Sequence, residues 1–282
     1  MKNKKIIIIL VILALLVTCI FYLNYENTSL KVSNYEVINN KIPNEFNDFK
    51  IIQISDFHNT KSEKLTSRLI EELQKQKPNI IVFTGDLIDS YKTDIDTAIN
   101  LIKEIKDIAP IYYVPGNHES RISDYSKLIT EMKNHDAVIL DNKVEVLELK
   151  GAKLNLLGID DPSMAHGLYL SDREIVKTEL NNLNYDKNNY SILLSHRPEL
   201  FDMYAANKID LVMTGHAHGG QIRVPFIGGL FAPNQGFFPK YTSGTFKEDK
   251  TTMIVSRGIG NSIMPFRINN RPELVVIELK NK

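Results

Sequence analysis

Cysteine is almost missing from this chain. Cys19 is the only one in 282 residues, and it lies inside an apolar N-terminal run. The remainder has neither a disulfide framework nor thiolate chemistry, so any metal it holds must be bound through nitrogen and oxygen. Excess charge is missing too, with 34 basic against 34 acidic residues. Residues 1–24 contribute Lys2, Lys4 and Lys5 and no acid, which leaves 31 basic against 34 acidic residues in the rest. That mildly negative balance gives no support to broad electrostatic capture of nucleic acid. Internal repeats and low-complexity segments are also lacking. At 43% hydrophobic, the chain can bury one large core or two small ones, and length alone does not choose between them.

What is present begins with a long hydrophobic run. Ile6 to Leu23 contains no charge, proline or glycine and is long enough to cross a bilayer as a helix. Three lysines precede it, and only Glu26 and Lys31 follow closely. By the positive-inside rule the N-terminus is cytoplasmic and the rest of the chain extracytoplasmic. A cleaved signal peptide is the alternative, but its apolar core would be shorter and end in a small-x-small site. Leu16-Val17-Thr18-Cys19 faintly resembles a lipoprotein processing site, though Thr18 is large for its position and the run continues past it. The expected organisation is a basic stub (1–5), a membrane-spanning helix (6–23), a linker and edge strand (24–47) and one folded domain (48–282).

Within that domain, short β-branched runs alternate with amphipathic stretches. Ile51–Ile54, Ile80–Phe83, Ile111–Val114, Ile192–Leu194 and Leu211–Met213 suit strands buried on both faces. Residues 61–77, 93–108 and 121–134 have helical length and periodicity between the early runs, the pattern of βαβ units. Val144–Leu149 and Lys153–Leu157 read as a hairpin, and residues 219–279 are rich in short strands and turns. The expected fold is α/β: a four-layer α/β/β/α sandwich of two mixed sheets, with an N-terminal transmembrane helix.

Five of the seven histidines sit in polar clusters that each follow one of these apolar runs. In order they are Asp56-Phe57-His58, Gly85-Asp86, Gly116-Asn117-His118-Glu119, Ser195-His196 and Gly215-His216-Ala217-His218. Strand carboxyl ends are where ligands bind in open α/β sheets, because several loops converge there. Each cluster alone is weak: Asp-x-His is common in turns, and a lone strand-end histidine is usually an ordinary polar residue. Five in order on one edge supply carboxylate, amide oxygen and imidazole for two metal ions sharing the Asp86 carboxylate. Two ions a few ångström apart form a clamp for attack on a phosphate ester.

The ordered set resembles the calcineurin-like metallophosphoesterase superfamily, over residues 51–218. Gly215 to Arg223 and the stretch to Tyr241 resemble its membrane-associated YkuE/YaeI-like branch, which includes hydrolases of UDP-2,3-diacylglucosamine and of glycerolipid-type phosphodiesters. The resemblance implies that Asp56, His58 and His218 hold one ion and that Asn117, His196 and His216 hold the other, with Asp86 bridging. It implies that His118 faces the scissile phosphate and, as a cation, assists the leaving group; the bland alternative is a residue that only orients a ligand. The two divalent ions would be Mn, Fe, Zn, Co or Ni, since the donor set has no sulfur. Ser/Thr protein phosphatases of the superfamily carry an arginine soon after Gly-Asp. Here Asp89-Ser90 stands instead, so the protein-phosphatase reading loses its phosphate clamp.

Arg223, Lys240 and Arg257 are candidate contacts to a phosphate or head group. The aromatics of residues 224–241 are read either as an apolar rim that meets acyl chains or the bilayer, or as a buried hairpin. His135 and His166 fit no ligand position. The leading expectation is a membrane-anchored dinuclear phosphoesterase that cleaves a phosphodiester or pyrophosphate of a small-molecule or lipid-linked substrate. A metal-binding scaffold with the same fold, and a phosphomonoesterase or nuclease of the superfamily, are the alternatives.

Overall fold

Alternate residues of the apolar runs face different layers, as the two-residue period of a strand requires. Ile51, Ile80 and Val82 point into one core, Ile52, Ile81 and Phe83 into another. In the computed structural model, which describes residues 2–165, 167, 169–261 and 264–282, the chain order is as follows. Helix α1 (Lys2–Thr28) leads into β1 (Lys31–Ile38) and β2 (Lys50–Ile54). Then come α2 (Glu63–Gln76), β3 (Ile80–Thr84), α3 (Ile95–Ile105), β4 (Ile111–Val114), α4 (Tyr125–Asn134) and β5 (Val138–Ile139). The hairpin β6 (Lys143–Leu149) and β7 (Ala152–Gly158) precedes α5 (Asp172–Asn182), β8 (Tyr190–Leu194), α6 (Phe201–Ala206) and β9 (Leu211–Thr214). Two small hairpins follow, β10 (Arg223–Val224) with β11 (Gly228–Gly229) and β12 (Phe231–Ala232) with β13 (Gly236–Phe237). Strands β14 (Gly244–Glu248), β15 (Thr251–Val255) and β16 (Glu273–Lys280) close the chain.

The first sheet has the order β1-β16-β2-β3-β4-β5 and the second β14-β15-β9-β8-β7-β6. Both are mixed. In the first, β2 to β5 are parallel and β16 runs against β2. In the second, β7, β8, β9 and β15 are parallel, flanked by antiparallel β6 and β14. Side chains such as Val114, Leu156, Leu194 and Met213 fill the space between the sheets. Helices α2, α3 and α4 cover the outer face of the first sheet, and α5 and α6 that of the second. The fold is the four-layer α/β/β/α sandwich. Side-chain caps start the helices: Ser62 for α2, Asp94 for α3 and a Ser171–Glu174 capping box for α5.

Two boundaries differ from expectation. Residues 24–28, read as linker, continue α1 because tertiary hydrogen bonds hold them. Glu26 accepts from the Asn270 backbone at 2.7 Å, and Asn27 accepts from the Arg267 backbone at 2.8 Å. The helix expected from residue 121 begins only at Tyr125. A short 3₁₀ turn at Glu119–Arg121 ends in extended backbone at Ile122, since the loop must first carry its polar cluster to the sheet edge.

The register also fixes where α1 enters. Strand β16 is antiparallel to β2, with Val275 opposite Gln53, and β1 is parallel to β16, with Lys31 opposite Glu273. The start of β1 therefore lies level with the carboxyl end of β2. Helix α1 arrives at the same edge as the polar clusters.

Candidate active site

Each cluster begins one or two residues past the end of a strand: Asp56 after β2, Gly85 after β3, Gly116 after β4, Ser195 after β8 and Gly215 after β9. At that point the backbone turns sharply. Asp56, His58, Asp86, His216 and His218 all adopt left-handed conformations, with φ between 46° and 65°. Such backbone is disfavoured for residues with a Cβ and gathers at functional sites. Gly85, at φ 89°, goes further: a Cβ there would overlap the His196 ring.

The side chains converge. One nest joins Asp56, His58, Asp86 and His218, and a second joins Asp86, His196 and His216. His58 Nε2 and His218 Nε2 are 3.2 Å apart, and His218 Nε2 lies 3.3 Å from Asp56 Oδ1. In the second nest His216 Nδ1 is 3.1 Å from His196 Nε2. Asp86 Oδ2 belongs to both, 3.6 Å from His58 Nε2 and 3.2 Å from His196 Nε2. All these residues are buried. The amide oxygen of Asn117 is buried without a hydrogen-bond partner, a donor left free for an ion. An all-nitrogen-and-oxygen donor set, an orphaned amide oxygen and a carboxylate common to two nests fit a pair of divalent cations.

Neighbouring groups fix which nitrogen faces the site. The Thr84 carbonyl lies 2.8 Å from His196 Nδ1, so that nitrogen carries a proton and Nε2 faces Asp86. The Asn234 amide oxygen lies 3.3 Å from His216 Nε2, which leaves Nδ1 facing inward. For His118 the arrangement is reversed: the backbone N–H of Ser90 donates to its Nδ1 at 3.0 Å. The neutral ring then bears its proton on Nε2. The cationic His118 expected from the sequence is opposed by this bond and by burial, which lowers its pKa.

Burial and charge divide the protons unequally. Burial pushes His58 down to about 4, so its approach to Asp86 is not an ion pair. Burial likewise holds His216 and His218 well below the usual imidazole range. For His196 burial lowers the pKa, but the Asp86 carboxylate outweighs it and brings the ring up to about 10. Burial raises Asp56 to about 6. Three imidazoles thus keep free nitrogen lone pairs, and the Asp86 carboxylate favours the protonated form of the fourth, His196.

Residues without an expected ligand or catalytic role complete the site. Glu119, fully buried, accepts the backbone N–H groups of Asp86, Gly116 and Ile88 at 2.9, 2.7 and 2.9 Å, tying two loops together. Arg197, paired with buried Asp161, brings its guanidinium 3.5 Å from His216 Nε2. Arg267 lies 3.5 Å from His218 Nδ1. Glu119 belongs to one of the clusters and Arg197 follows another directly, so both carried a signal in the sequence; Arg267 carried none.

The candidate substrate cations are engaged elsewhere. Arg223 donates to the Gly219 carbonyl at 2.8 Å and to Thr242 at 3.1 Å. Lys240 is exposed above the Tyr241 ring, and Arg257 faces Glu273 at 3.7 Å. None of the three contacts the nests among the described residues. His135 ends α4, outside the nests, and His166 lies outside the described residues. A cavity of about 710 Å³ opens beside the first nest, lined by Asn27, His58, Asp89, Tyr91, Lys92 and Gly260 among others. One of similar size, around Lys41 and Asp210, lies at the opposite sheet edge, far from the clusters.

Residues 49–220 match the calcineurin-like phosphoesterase family. The chain belongs to that family, and its activity is that of a metal-dependent phosphoester hydrolase. It is 31% identical to the uncharacterised metallophosphoesterase Cj0846 of Campylobacter jejuni, over 96% of this chain and 70% of that one. It is 28% identical to the uncharacterised metallophosphoesterase YkuE of Bacillus subtilis, over 91% and 87%. With the phosphodiesterase YaeI of Escherichia coli it shares 27% identity, over 82% of each chain. These relatives agree with the YkuE/YaeI-like branch.

Proposed function

We propose that this chain is a membrane-anchored phosphodiesterase or pyrophosphohydrolase that uses two divalent ions and acts on a lipid-linked substrate. The observation that carries the reading is the sharing of Asp86 Oδ2 between two nests. Asp56, His58 and His218 would hold one ion, Asn117, His196 and His216 the other, with Asp86 between them. When bound, such ions offset phosphate charge and lower the pKa of an attacking water.

The chain's own groups do the rest. Thr84 and Asn234 hold the His196 and His216 rings in the tautomers that ligation needs. His118 acts as a neutral donor: with Nδ1 held by Ser90, its Nε2 proton is offered to the leaving oxygen, an effect of about 10²–10⁴-fold. The 710 Å³ cavity beside the first nest takes one substituent of the phosphorus, with Tyr91 and Lys92 on its wall.

Anchoring is supported by α1. It is long and apolar enough to cross a membrane, and none of its spanning stretch is buried. Lys2, Lys4 and Lys5 favour a cytoplasmic N-terminus and an extracytoplasmic catalytic domain. Hydrogen bonds from Tyr22, Glu26 and Asn27 into the domain favour an anchor that stays attached.

The test uses the full-length chain in detergent, loaded with manganese and assayed on bis-p-nitrophenyl phosphate. Asp86→Asn should abolish turnover. His118→Ala should keep its metal and lose turnover, whereas a non-catalytic scaffold would show no turnover in the parent. A folded parent inactive with each of Mn, Fe, Zn, Co and Ni sinks the reading. A panel of phospholipid and sugar-nucleotide-lipid substrates then defines the natural class.

A further inference from the structure

We infer that the excursion from Ile222 to Tyr241 forms a second contact with the bilayer, and that the dinuclear site is thereby held against the membrane surface. The inference rests on the reading of α1 as a bilayer anchor and adds a surface to it. Two hairpins follow directly on His218, and their large apolar side chains stand in solvent. Phe226 is fully exposed at the first tip, Ile227 beside it is 64% exposed, and Phe237 and Phe238 on the second hairpin are 72% and 64% exposed. Apolar side chains clustered in this way mark an interaction surface rather than random exposure. The buried-hairpin reading of this segment is thus excluded.

The occupant follows from what adjoins the hairpins. Asn269 is hydrogen-bonded to the Tyr22 hydroxyl, which donates to its Oδ1 at 2.7 Å, and its own Nδ2 donates to the Arg223 carbonyl at 3.2 Å. The first hairpin therefore starts one side chain away from Tyr22 in the last two turns of the apolar helix. Phe226 is three residues further on, about 10 Å of extended chain at most. Phe266, also exposed, precedes Arg267, whose backbone N–H donates to Asn27. Arg271 lies over the Tyr25 ring, 5.3 Å from its centroid. Tyrosines and a cation at the end of an apolar helix are the groups that favour the headgroup region. The exposed tips are continuous with that band, so the surface they fit is lipid.

The two hairpins are also joined to each other and to the site. Leu230, between them, donates to the Ile222 carbonyl at 2.8 Å and accepts from Phe238 at 2.9 Å. Asn234, in the turn of the second hairpin, is the residue that accepts from His216. Seating the hairpins in a bilayer would steady a partner of a metal ligand.

The chain contains no tryptophan, so an introduced one reports alone. Four single variants of the full-length protein, L13W, F226W, F238W and V146W, are reconstituted in phosphatidylcholine/phosphatidylglycerol vesicles with and without brominated acyl chains. Val146, on the edge strand β6 of the second sheet, serves as the aqueous reference. Expected are blue-shifted emission and bromine quenching at positions 13, 226 and 238, and neither at 146. Quenching at 13 without quenching or blue shift at 226 and 238 overturns the second contact and leaves the anchor standing. A blue shift without quenching at 226 and 238 means that protein, such as a second copy of the chain, covers the tips, and it also overturns the proposal. No quenching at 13 removes the anchor reading and this inference together. Positions 226 and 238 are exposed aromatics, so either variant reports even if the other fails to fold.

Discussion

The Glu119 carboxylate accepts the backbone N–H of Asp86 at 2.9 Å, across 33 residues of sequence. This bond sets the loop that presents the shared aspartate. The same carboxylate also holds Gly116 and Ile88, so one buried side chain positions two of the five clusters. Burial and the nearby Asp86 charge raise its pKa to about 7, while its backbone donors favour the ionised form. Glu119→Gln replaces an acceptor with an N–H that faces other N–H groups. We expect a loss of about 1–3 kcal/mol in stability together with reduced metal content. Denaturant unfolding and elemental analysis check this; unchanged midpoint and full metal occupancy would rule out the positioning role.

Metal binding must displace the proton that His196 shares with Asp86, because the ring titrates at about 10 in the metal-free nest. Binding at neutral pH should therefore release about one proton, readable by calorimetry in buffers of different ionisation enthalpy. The sign for stability follows. His196 has its folded-state pKa raised, so its contribution is complete below the unfolded value of about 6.5 and is lost as pH rises toward about 10. The metal-free protein should weaken over that window more than the loaded protein does. Parallel pH–stability curves for the two would contradict the assignment.

Asn234 is exposed and should be dispensable for folding, yet its amide oxygen lies 3.3 Å from His216 Nε2, where it favours a proton on that nitrogen. Asn234→Ala should lower affinity at the second nest by about 10–100-fold with little change in melting temperature. Metal titration against a chelator checks it. An equal loss at both nests, or a clear drop in melting temperature, would point to a structural role instead.

The buried Arg197–Asp161 pair predicts an asymmetry. Asp161→Ala removes the nearest carboxylate from the guanidinium, leaving Glu199 at 3.3 Å and Asp172 at 4.0 Å, and should cost about 1–3 kcal/mol. Replacing both partners, Asp161→Leu with Arg197→Met, should recover much of that stability but not the turnover. Denaturant melts of the single and double variants separate these outcomes. A double variant as unstable as the single would show that the charge pair is not what stabilises this corner.

Much of this protein was legible as sequence. The period-two runs gave the strands, and the position of each polar cluster just past a run located the site edge, because a parallel sheet leaves its loops there. The candidate metal donors Asp56, His58, Asp86, Asn117, His196, His216 and His218 could be named one by one, since metal chemistry is selective about residue type. One local reading failed: residues 24–28 became helix because Asn270 and Arg267, far away in sequence, hold Glu26 and Asn27.

The sequence by itself determined the layered α/β architecture, the apolar N-terminal helix and the set of candidate metal donors, all of which depend on local periodicity and side-chain chemistry. Tertiary structure alone decided that Asp86 serves two nests, that Ser90 keeps His118 neutral, and that α1 and the aromatic hairpins meet at the catalytic edge. Each of those depends on register and on contacts between residues far apart along the chain. An antiparallel β16 between β1 and β2 brings the helix to that edge, and no local pattern records it.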